Sequence, residues 1–172
     1  MTPHLPAQSM LPAALATPAA LTDYLLHFVR EIGIPVREEP IPSPSFLPGL
    51  LIDAGQLVVD RDQLLYPGDI LHEAGHIAVT TAAERHLVGG NVTEHNPEKE
   101  GEEMAVHVWC YAACVHLGLP AAVVFHPDGY KGASDWFIDT FGQGQYVGLP
   151  LLVWMGLTTN DTYPRMTGWL RA

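Results

Sequence analysis

The sequence predicts an α+β fold in which a small antiparallel or mixed sheet packs on helices. Three observations carry this. Apolar residues recur at helical spacing in separated stretches, beginning with Leu21, Leu25, Phe28, Val29 and Ile32. Two short runs, Leu50-Leu51-Ile52-Asp53 and Gln56-Leu57-Val58-Val59-Asp60, flank Ala54-Gly55 and read as a hairpin. A chain of 172 residues, 48% hydrophobic and 16% charged, suits one domain with a substantial core.

The elements follow in order. Residues 1–16, rich in alanine and proline, predict a loose arm, and residues 17–172 a single domain. No lysine or arginine precedes Arg30, so the arm lacks the positive region of a secretory signal and a cytoplasmic location is expected. Thr17-Pro18 opens a helix that Gly33 closes, and Pro35 to Pro48 is a proline-spaced connection to the hairpin. Tyr66-Pro67-Gly68-Asp69 breaks the chain and starts a second helix, whose stripe is Ile70, Leu71, Ala74, Ile77 and Ala78.

Gly89 to Pro97 is a polar link suited to movement or to a simple turn. Pro97-Glu98-Lys99-Glu100 is an acidic first turn for a third helix, nearly all apolar from Met104 to Leu117 and stopped by Gly118-Leu119-Pro120. Beyond it, Ser134 caps a short helix from Asp135 to Phe141, Gly142-Gln143-Gly144 breaks it, and Leu149 to Leu157 is a buried helix or strand.

The second helix carries the chemistry. In His72-Glu73-Ala74-Gly75-His76, two imidazoles stand one turn apart on one face and converge on a single metal, with a carboxylate between them. One zinc ion per chain is expected there. Zinc brings the pKa of a bound water to about 7, and Glu73 is the base that takes its proton. Gly75 costs about 1 kcal/mol of helix propensity, so its place in mid-helix predicts close approach by another element.

Two histidines do not complete a zinc site. A metzincin third ligand would need glycine at Val79 and histidine at Ala82, and a deformylase-like cysteine would lie upstream, whereas Cys110 and Cys114 lie downstream. A thermolysin-like spacing would put glutamate where His95 stands. A glutamate of the third helix remains. Glu102 shares a face with Ala105, Trp109, Ala112, Ala113 and His116, whereas Glu103 shares one with His107, Cys110 and Cys114. Small residues on the Glu102 face favour helix approach, so Glu102 is the expected third ligand and Glu103 the alternative.

The pentapeptide, followed after a polar loop by Glu102-Glu103-Met104-Ala105, resembles the gluzincin branch of zinc metallopeptidases, especially compact ImmA/IrrE-like and minimal gluzincin proteins. The resemblance spans about Leu50 to Pro120 and implies a zincin-like fold. It also implies that the second-helix glutamate completes the metal site, that Glu73 is general base, and that a preceding strand holds an extended substrate. Where such proteins commonly carry asparagine or aspartate after Glu-x-x-Ala, this chain has Val106.

Composition narrows the partners. A net charge of -11 opposes a phosphate-binding surface, and the longest apolar run is too short to span a bilayer, so neither nucleic acid nor membrane is expected. Cys110 and Cys114, four apart on a helix, are expected as reduced core residues. His107, His126, Tyr66 and Tyr130 are candidates for stabilising an oxyanion opposite Glu73. The expected function is zinc-dependent hydrolysis of a peptide or protein substrate. The alternative is a non-catalytic zinc-binding regulatory or interaction domain, which the central carboxylate disfavours.

Overall fold

A computed structural model describes residues 10–42, 44–89 and 98–172. Among these, the architecture is α+β, with five helices and a three-stranded mixed sheet. Helix α1 (Pro18–Glu31) starts where Thr17 Oγ1 accepts the backbone N–H of Ala20 at 3.2 Å, and proline occupies its first turn. It ends before Gly33, whose φ of +98° suits a residue without a side chain. Leu25, Leu26 and Val29 on its inner face are fully buried.

The hairpin lies where the sequence places it. Strand β2 (Leu50–Asp53) pairs antiparallel with β3 (Gln56–Val59), and both turn residues, Ala54 and Gly55, have positive φ, as the twist of a two-residue hairpin demands. The connection after Pro35 is not only a connection. Val36–Glu38 forms strand β1, which lies parallel to β3 with Val36 opposite Leu57, so the sheet order is β1-β3-β2. Three residues carry little periodicity, and their partner lies downstream of the whole hairpin loop.

Helix α2 (Asp69–Val79) is the centre of the molecule. It packs against α1, the sheet and α3 (Glu98–Leu117) together, and His72 is its one residue not classed as buried. Such a helix needs small residues where neighbours come closest, which explains Ala74, Gly75 and Ala78. Cys110 and Cys114 are free and buried, and the Cys110 thiol donates to the Leu71 carbonyl at 3.4 Å.

Helix α5 (Leu149–Trp154) packs on α3, and helix α4 (Ser134–Gly142) meets it through Phe137 against His107 and Phe141 against Tyr111. Ser134 does not cap α4 as expected; its hydroxyl donates to the His126 carbonyl at 2.6 Å, and Ala133 holds the cap position. The segment after α5 straps both central helices. Tyr163 Oη donates to the Val108 carbonyl, Trp169 accepts from Trp109 Nε1, and the Arg171 N–H donates to the Ala78 carbonyl at the end of α2. Of the expected loose arm, Ala13–Leu15 forms a 3-10 turn, and Leu11 and Leu15 pack on the core. Residues 1–9 and the Gly90 to Pro97 part of the polar link lie outside the described residues. No helix among the described residues is long and apolar enough to cross a membrane.

Candidate metal centre

Gly75 lets α3 settle directly onto α2, with Val106, Trp109 and Cys110 against it. That register decides which glutamate reaches the histidines. Glu103 stands three residues before Val106 and seven before Cys110, and it is the glutamate whose carboxylate meets both rings. The structure brings Glu103, the alternative, and not Glu102 to the two histidines. The small residue at this contact is Gly75 of α2, and the alanines on the Glu102 face do not carry that glutamate to the rings.

Three side chains converge. His72 Nε2 lies 3.2 Å from Glu103 Oε1, His76 Nε2 lies 3.1 Å from Glu103 Oε2, and the two Nε2 atoms are 3.2 Å apart. Among the described residues, His72, His76 and Glu103 form a group whose donor atoms gather within 4.8 Å of one another. The spacing fits an ion. Arms of about 2.0 Å in a tetrahedron put neighbouring donors about 3.3 Å apart, close to the separation of the two ring nitrogens and to the distance from each ring to its nearer Glu103 oxygen. Glu103 Oε2 is buried and has no partner aligned for a hydrogen bond, a costly state for a carboxylate oxygen without a cation. Two nitrogens and a carboxylate oxygen are also the donor set zinc accepts in hydrolytic sites.

The electrostatics agree. Burial pushes the Glu103 pKa up, but the imidazoles of His107, His72 and His76 beside it outweigh burial and hold the carboxyl well below its usual range. Burial lowers the His107 pKa against the pull of Glu103. Glu73 behaves oppositely. Burial, reinforced by Glu103 and Asp69 and opposed by His72, raises its pKa from 4.5 to about 7, the range in which a carboxylate can both take and return a proton near neutrality.

His72, Glu73, His76 and Glu103 all line one cleft of about 1210 Å³. Phe46, Leu47, Leu50 and Leu51 form an apolar part of its wall. The four oxyanion candidates also line it, each differently engaged. Tyr66 Oη donates to Asp128 at 2.5 Å, Tyr130 Oη is 3.3 Å from His72 Nδ1, and His107 Nε2 is 3.3 Å from Glu103 Oε1. His126 Nε2 lies 2.8 Å from Asp69 Oδ1, while its Nδ1 is buried and unpartnered.

No protein-family model, curated protein or solved structure matches the chain. The site must be judged on its own geometry.

One of its members escaped sequence reasoning in its actual role. Asp69 reads as a helix-start residue, yet it is buried, its pKa is raised by burial against the pull of His126, and it holds that ring. Tyr130, one of the four oxyanion candidates, is followed by Lys131 and Gly132 in a run of three positive φ angles, a backbone bend that no periodicity announces.

Proposed function

We propose that this chain is a zinc-dependent peptidase with a zincin-like fold of gluzincin type, in which His72, His76 and Glu103 hold the ion and Glu73 is general base. One observation carries the reading: three donors within 4.8 Å of one another share a cleft with a buried carboxylate whose pKa is raised to about 7. Bound zinc would supply a Lewis acid that polarises a carbonyl and acidifies water. Glu73 removes the proton from the attacking water and returns it to the leaving amine. Its buried setting keeps that proton from bulk solvent. The Tyr130 hydroxyl, at the far nitrogen of His72, fixes the ring so that Nε2 faces Glu103. Phe46, Leu47, Leu50 and Leu51 suit apolar side chains of a peptide, so the substrate class is peptide or protein.

The test combines metal analysis with a broad peptide library. Wild-type protein is expected to hold about one zinc per chain and cleave some library members, while Glu73→Gln keeps zinc and melting temperature and loses at least about a thousandfold in rate. A zinc-loaded wild type that cuts nothing would leave the non-catalytic zinc-binding alternative. A protein that takes up no zinc sinks both.

A further inference from the structure

We propose that His107 is a positioning residue for the metal site: its ring N–H occupies one oxygen of Glu103 and so leaves the other to bind zinc. This rests on the zinc reading above.

His107 stands one turn after Glu103 on α3, and its Nε2 lies 3.3 Å from Oε1, an oxygen that His72 Nε2 approaches to 3.2 Å from the other helix. Oε2 is the atom left buried without an aligned hydrogen bond, beside His76 Nε2. A carboxylate free at both oxygens can swing between one-oxygen and two-oxygen binding of a metal. One held at Oε1 by a ring cannot. His107 is itself fixed, packed at 4.5 Å from Phe137, 5.4 Å from Tyr130 and 6.2 Å from Phe125, measured between ring centres. Its ring is also 6.0 Å from that of His72, so it reaches the site without joining the group of three donors. The aromatic nest thereby transmits a fixed orientation to a metal ligand through one hydrogen bond.

The experiment compares His107→Gln with His107→Leu. Glutamine reaches about as far as the imidazole Nε2 and keeps an N–H donor; leucine fills the aromatic nest and keeps none. Zinc affinity is measured by chelator competition, and the visible spectrum of the cobalt-substituted protein reports the coordination. Leucine is expected to weaken zinc binding about 10-fold to 100-fold and to change the cobalt spectrum. Glutamine should stay within about threefold and keep the spectrum. The metal-free melting temperature of the leucine variant should not fall, since packing is retained. If His107→Leu does not fold, His107→Asn replaces it, because the shorter amide cannot reach Oε1. Equal zinc affinity and equal spectra in wild type and leucine variant overturn the inference, as do equal losses in the glutamine and leucine variants. Failure of the wild type to bind zinc instead overturns the site itself.

Discussion

Gly75 and Val106 stand so close that a methyl group on Gly75 would lie 2.9 Å from Val106 Cγ1. The separation of α2 and α3 is set at this contact. Gly75→Ala forces α2 and α3 apart at a cost of about 1–3 kcal/mol, offset by about 1 kcal/mol of helix propensity. A net loss of about 1 kcal/mol is expected in urea unfolding, together with weaker zinc binding. Adding Val106→Ala should make the double variant lose clearly less than the two single losses combined. Strict additivity would show that the contact does not set the spacing.

The register of α3 makes a second prediction. Glu103→Ala should lower zinc affinity by more than about a hundredfold, and Glu102→Ala should leave it within about twofold. Isothermal titration of zinc into both variants decides it. Equal losses would mean that the metal lies elsewhere along α3.

Glu38, at the end of β1, predicts an acid-sensitive link between sheet and α1. Hydrogen bonds from Arg61 and then Arg30 pull its pKa from 4.5 to about 2. Above 4.5 the carboxylate is ionised in folded and unfolded chains alike, and its contribution to stability is complete. As pH falls from 4.5 to about 2, the unfolded state protonates first and the contribution disappears. Because the side chain is one-third exposed, solvent screening holds the effect to about 1 kcal/mol or less. Glu38→Gln should flatten the stability of the protein over that pH window, read by urea unfolding at low ionic strength. An unchanged acid slope would remove Glu38 as its source.

Lys131 has φ +53°, between Tyr130 at +57° and Gly132 at +82°. A side chain in this region costs about 1–2 kcal/mol, part of which glycine returns in unfolded-state entropy. Lys131→Gly should therefore raise stability by about 0.5–1 kcal/mol and leave zinc affinity unchanged. A fall in melting temperature would show that the lysine side chain makes contacts that outweigh its backbone strain.

Much of this arrangement was readable from the chain because its signals are local. Thr17-Pro18, Gly33, Ala54-Gly55, Asp69 and Gly118 mark element boundaries that the structure keeps. The paired histidines needed only a helix, and the mid-helix glycine announced a close neighbour. What stayed hidden depends on partners distant in sequence. Strand β1 exists by pairing with β3, Glu103 faces the histidines because of Gly75 on another helix, and Asp69 finds His126 across 57 residues. Composition of one helix face could not choose between adjacent glutamates; only the docking of two helices could.

The strap after α5 orders events in time. Trp169 accepts from Trp109 on α3, and Arg171 donates to Ala78 near the end of α2. These contacts join residues 60 and 93 positions apart, and such distant closures come slowly. While α2 and α3 are leaving the ribosome, the residues that clamp them together do not yet exist. The packing that brings His72, His76 and Glu103 together is thus fastened only once Trp169 and Arg171 have been made.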